Sequence, residues 1–149
     1  MGSSQLFPCL FTVDEANDLL PALRALMKRI FQDLEFLRKK SESVIREGRL
    51  SPGSPDLMER LQEDDEIVRL IQEIRGLVEE IHSFGCVCKG VEKGLVDFPC
   101  VLGGEIVFLC WRYGEESVGH WHRIQDGFAG RRPLLDADEG GGSGEISYH

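Results

Sequence analysis

An α+β fold, with long helices first and a small antiparallel sheet after them, is predicted by three observations. Apolar residues recur every three or four positions from Ala16 to Ile81, the period of a helix face. From Cys86 onward the apolar period shortens to two, the period of a strand. Gly48 with Ser51-Pro52-Gly53-Ser54-Pro55, and later Gly103-Gly104, break the chain where turns are needed.

The first helix starts at a capping box. Thr12 stands at the N-cap and Glu15 three residues on, so each side chain can satisfy a free backbone N–H. Asp14, Glu15 and Asp18 lie near the positive end of the helix dipole. The stripe then runs Ala16, Leu20, Leu23, Met27, Ile30, Leu34 and Leu37, continuing to Ser41 and Val44 in alternating steps of four and three, a heptad pattern. Pro21 lies within it and has no N–H to offer Asn17, which predicts a kink or a restart of the helix. Ser54 and Pro55 read as N-cap and first residue of a second helix, spanning Pro55 to Ser83, with Gly85 just beyond its end. Its stripe is Ile67, Ile71, Ile74, Val78 and Ile81, and Leu57 and Leu61 extend it in a shifted phase. Residues 12–84 are thus expected to form an antiparallel, coiled-coil-like helical hairpin about 45 Å long. Leu19, Leu26 and Phe31 flank one stripe and Leu70, Leu77 and Phe84 the other, more apolar surface than a two-helix seam needs. A homodimer closing a four-helix bundle would cover the excess, and the C-terminal half folding back would cover part of it.

Four strands are expected in residues 85–135. Cys86 to Lys89 is a short one, and Leu95 to Phe98 is another, ended by Pro99. Glu105 to Arg112 is apolar on both faces, as a central strand would be, and Gly103-Gly104 joins it to its predecessor as a hairpin. Val118 to Ile124 supplies the fourth, and residues 126–133 are expected as a loop. Residues 1–135 form one expected domain, and the Gly-rich residues 136–149 an acidic disordered tail.

The chain has 149 residues, 26 acids against 17 bases and a net charge of −9. The excess acid lies in residues 48–84, with nine acids to four bases, and in the tail, with four acids and no base. That balance argues against nucleic acid, which selects a basic stripe. No apolar run is long enough for a membrane span, and Met1 to Phe11 lacks the pattern of a secretory signal. Five cysteines, an odd number without a disulfide framework, fit reduced thiols in the cytoplasm.

Phe11-Thr-Val-Asp-Glu-Ala-Asn17, Gly94-Leu-Val-Asp-Phe-Pro99, Leu109-Cys-Trp-Arg112 with Gly114-Glu115, Trp121-His122 and Gly127-Phe-Ala-Gly-Arg131 together form a specific pattern. In order and spacing the chain resembles the mainly bacterial family called domain of unknown function 2203, over nearly its whole length except the tail. The resemblance implies a soluble prokaryotic protein with a helical N-terminal part and no established activity. It draws attention to residues Asp97 to Arg131. Cys86, Cys88 and His120 fall outside the pattern.

The chemistry-bearing residues of that region are Asp97, Cys110, Glu115 and His122. Carboxylate, thiolate and imidazole are the ligand types of zinc or a similar divalent metal. His120, two residues from His122 and on the same strand face, is a lesser candidate, and Cys86 with Cys88 could supply two sulfurs. Three ligands and an open position would allow metal-activated water and hydrolysis, with Glu115 or Asp97 as general base. A Cys110/His122 nucleophile pair is a further option, set against the inertness of a thiol among apolar neighbours. The bland alternatives are a core cysteine and a histidine bonded to Glu115 or Asp97 to hold a turn. Gly127, Gly130 and Arg131 form a loop that can hold an anion, unless Arg131 pairs with an acid and Phe128 plugs the core. Two functions follow: a dimeric binding or interaction module, or a small metal-dependent enzyme.

Overall fold

The computed structural model describes residues 9–134; the acidic stretch 136–149 lies outside them. Among the described residues, four α-helices precede a five-stranded sheet, antiparallel throughout. The helices are α1 (Val13–Asp18), α2 (Leu20–Gly48), α3 (Pro55–Glu63) and α4 (Asp65–Ser83). The strands are β1 (Val87–Lys89), β2 (Leu95–Leu102), β3 (Glu105–Arg112), β4 (His120–Arg123) and β5 (Arg132–Pro133), side by side in chain order.

The expected capping box is formed, with Thr12 and Glu15 exchanging their two hydrogen bonds at 2.9 and 3.0 Å. Pro21 produces a restart: α1 stops at Asp18, and Pro21 becomes the second residue of α2, where no N–H is required. The second helix departs from expectation by breaking at Asp64. The Asp64 carboxylate accepts from the N–H groups of Glu66 and Ile67, capping α4 and allowing α3 to rotate. That rotation accounts for the shifted phase of Leu57 and Leu61. The stripe also turns by one residue: Leu70 is buried and Ile71 is 40% exposed. Arg29 of α2 pairs with Glu73 of α4, and Lys40 pairs with Asp64 and Glu66, so position falls along α4 as it rises along α2.

Strand β2 runs through Pro99 to Leu102 instead of stopping. A strand residue points its N and its carbonyl to the same side, and the Pro99 carbonyl accepts from Phe11 N–H at 2.7 Å on the edge beyond β1. The missing N–H therefore faces an edge with no strand to pair, and the ladder to β3 loses nothing. The fourth strand is shorter than expected because Val118 N–H is taken by the Asn17 side chain at 2.7 Å. A fifth strand of two residues arises where a loop was expected, pairing Trp121 with Arg132 and His120 with Pro133.

Strand register divides the sheet into two faces. Val96, Phe98, Cys100, Val107, Leu109, Trp111 and Trp121 share the face that packs on Leu20, Leu23, Met27, Ile30 and Ile81. Leu95, Asp97, Pro99, Phe108, Cys110, His120 and His122 share the other face. Gly94 stands where α2 and the sheet approach each other. Its φ is +68°, and a Cβ there would stand 2.9 Å from Tyr113 Cβ and 3.1 Å from the Phe31 ring.

Candidate metal centre

The outer face of the sheet collects its polar residues by register. Asp97 on β2 stands directly opposite Cys110 on β3, so their side chains rise from neighbouring points on one face. His122 on β4 stands opposite Phe108, one row away, and its ring leans across β3 to reach Asp97. One ligand atom from each of Asp97, Cys110 and His122 lies within 4.8 Å of the other two. All three residues are buried, at 3%, 1% and 2% exposure.

The two nitrogens of His122 have distinct partners. Nδ1 is 2.8 Å from the Arg123 carbonyl, an oxygen that can only accept, so Nδ1 carries a proton. Nε2 is 3.2 Å from Asp97 Oδ2, and a single proton between them satisfies both. Burial raises the pKa of Asp97, opposed by the charge of His122 and by a hydrogen bond from the Cys110 thiol. Burial also pushes the Cys110 thiol up to about 12, with the Asp97 charge adding to the rise. The cluster therefore holds protons that a metal would displace. A tetrahedral zinc with bonds of about 2.0–2.3 Å places its ligand atoms about 3.3–3.6 Å apart. The Nε2 to Oδ2 separation of 3.2 Å is already close to that edge.

The remaining expected residues fall elsewhere. Glu115 accepts from Arg112 N–H and from Arg131 Nη2, both at 2.8 Å. His120 points its Nδ1 at Arg131 Nη2, 3.0 Å away, and therefore accepts there. Arg131 also reaches the Cys110 carbonyl at 3.4 Å, so Glu115, His120 and Arg131 form an adjoining layer beside the three-residue cluster. The pairing of Arg131 with an acid, weighed from sequence against an anion site, is the arrangement observed. Gly127 and Gly130 shape the turn that presents it, and a Cβ at Gly130 would stand 2.6 Å from Asp126 Cβ. Phe128 does not plug the core; it is 39% exposed and stacks under the Arg131 guanidinium at 4.7 Å. Cys86 and Cys88 pack with the helices, on the other side of the sheet from Asp97. In the Cys110/His122 nucleophile option both ring nitrogens of His122 have other partners, the Arg123 carbonyl and Asp97, and the Cys110 thiol hydrogen-bonds Asp97 instead.

Sequence reasoning passed over Lys89. Its Nζ is 3.9 Å from Asp97 Oδ2 and 4.9 Å from the centre of the Phe108 ring. Only the register, which sets Val87 opposite Asp97, puts Lys89 two residues on over the same face. The Arg123 carbonyl, which orients His122, carries no sequence signal at all.

No curated protein and no solved structure matches the chain. A family model does, over residues 9–134, which takes in every residue of the cluster and of the layer beside it. On that match the chain belongs to the family described as uncharacterized conserved protein DUF2203.

Proposed function

We propose that this protein binds one divalent metal ion of the zinc class through Asp97, Cys110 and His122. The observation that carries the reading is convergence. Three different ligand types meet within 4.8 Å, and the imidazole turns Nε2 inward because Nδ1 donates to a backbone carbonyl. Such outer hydrogen bonding is the usual support of a metal-bound histidine. Glu115 belongs to the supporting layer in this reading, and His120 with it. Five free cysteines fit a cytoplasmic setting, where a thiolate ligand stays reduced. With three protein ligands one coordination position remains, so metal-activated hydrolysis is the enzymatic form of the reading. The test is metal content of untagged protein purified without chelators. Near one zinc per chain, lost in His122→Ala, supports it; a value near zero after zinc addition and desalting ends it.

A second reading concerns the helices, as a coiled-coil-like hairpin that dimerises into a bundle. Phe36 on α2 is 61% exposed and borders a groove of about 440 Å³ with Phe31, Tyr113, Lys28 and Lys39. The occupant proposed is a second copy of the chain, whose residues 48–84 carry nine acids to four bases and would meet Lys28, Lys39 being paired with Glu35 in the same groove. A monomeric mass in light scattering at micromolar concentration would end it. No described helix is long and apolar enough to cross a membrane.

A further inference from the structure

We infer that the fourth ligand of this metal is a small oxyanion, a carboxylate or a phosphate, clamped between the metal and the Lys89 ammonium. The inference rests on the proposed metal site and adds its ligand class.

A divalent ion, the Asp97 carboxylate, the Cys110 thiolate and a neutral His122 sum to zero. Arg131 adds nothing net, because its charge is met by Glu115 at 2.8 Å. Lys89 is different. Asp97 is the only acid within ion-pair distance of Lys89 among the described residues, and that carboxylate would be shared with the metal. Loading the metal would leave an ammonium 3.9 Å from Asp97 Oδ2 with its counter-charge withdrawn. The metal and the half-exposed ammonium would then place a net positive charge around one position. One anionic ligand removes it, accepting from Nζ while it binds the metal. The reach is available: Lys89 extends from β1 over the face from which Asp97, Cys110 and His122 rise, and its side chain is 49% exposed. Its Nζ lies over the Phe108 ring, 4.9 Å from the centre, which holds the ammonium on this face of the sheet.

Cobalt(II) replacing zinc makes the fourth position visible, since its visible absorption follows ligand type and number. Full-length protein loaded with cobalt would be titrated with acetate, inorganic phosphate and chloride, and Lys89→Gln treated alike. The expected result is a saturable spectral change with acetate or phosphate, and none with chloride over the same range. In Lys89→Gln cobalt uptake should persist while anion affinity falls about tenfold or more. A response to acetate alone assigns a carboxylate ligand, and one to phosphate alone a phosphoryl ligand. The inference is overturned if wild-type cobalt protein ignores every anion, if chloride serves as well, or if Lys89→Gln binds the anion unchanged. Absence of cobalt uptake by the wild type would instead remove the metal site itself, so the two failures are distinguishable.

Discussion

The two faces of the sheet are built from alternate residues of the same strands, yet they are closed by different physics. Cys100 and Cys110 make the comparison compact. Both are buried, and burial raises both thiols, to about 11 and about 12. Cys100 faces the helices among Phe98, Val107 and Leu109, where a thiol is one more small apolar group. Cys110 faces the other way, beside Asp97 and His122. The helix-side face needs volume and apolar surface. The outer face needs partners for each polar atom, and few arrangements supply them. Equal burial therefore says nothing about role, and the neighbours decide it.

The largest effect should come from the helix-side face. Trp111→Ala removes a fully buried ring and should cost about 3–5 kcal/mol in urea unfolding. A loss below about 1 kcal/mol would mean that this face is not the principal core.

Next comes the pair of cysteines. Zinc at a hundredfold excess over its dissociation constant should stabilise the wild type by about 2.7 kcal/mol. Cys100→Ser should keep that gain and Cys110→Ser should lose it, measured as zinc-dependent unfolding midpoints. Equal responses would break the contrast between the faces.

Proton release sharpens it further. Burial raises Cys110 to about 12, so at neutral pH the thiol must give up its proton to bind a metal. Affinity should therefore fall as pH falls, by about tenfold per pH unit for each proton displaced. Calorimetry in buffers of different ionisation enthalpy measures the number, expected at about one to two.

The smallest effect belongs to Asp33, a buried acid on α2 with neither thiol nor imidazole beside it. Burial raises its pKa, and the neighbouring Glu73 raises it further, against Arg29. A raised folded pKa binds the proton more tightly in the folded chain. Its contribution to stability is thus full below the unfolded pKa and lost as pH rises through the folded value. Asp33→Asn should remove that loss and flatten stability against pH in the acid range. Zinc should not alter this profile, in contrast to that of Cys110.

Much of the helical half is legible in local chemistry. Thr12 with Glu15, Ser54 with Pro55, and an interruption at Pro21 depend on contacts within one turn, so residue identity suffices to predict them, though not whether Pro21 kinks the helix or restarts it. The cap at Asp64 is not read from the sequence, whose pattern predicts one helix from Pro55 to Ser83. Its significance was hidden because the apolar stripe could be continued through it in another phase. In the sheet, alternation placed Cys110 and Phe108 on one side of β3 and Leu109 and Trp111 on the other, as observed. The extension of β2 through Pro99 was not legible. It depends on which edge of the strand lacks a neighbour.

For the candidate site, residue types alone determined a set of possible ligands, because only a few side chains offer lone pairs of the required kind. They also determined that Asp97 and Cys110 could stand on neighbouring strands. Tertiary structure decided the membership. Register put Asp97 opposite Cys110, the lean of His122 across β3 brought it to Asp97, and Arg131 drew Glu115 and His120 into a separate layer. It also decided that the imidazole offers Nε2, through a bond to a backbone carbonyl that every residue possesses. The physical reason is range. Caps, turns and strand alternation are set by neighbours along the chain, whereas a ligand cluster is set by distances between strands far apart in sequence, which exist only once the sheet has formed.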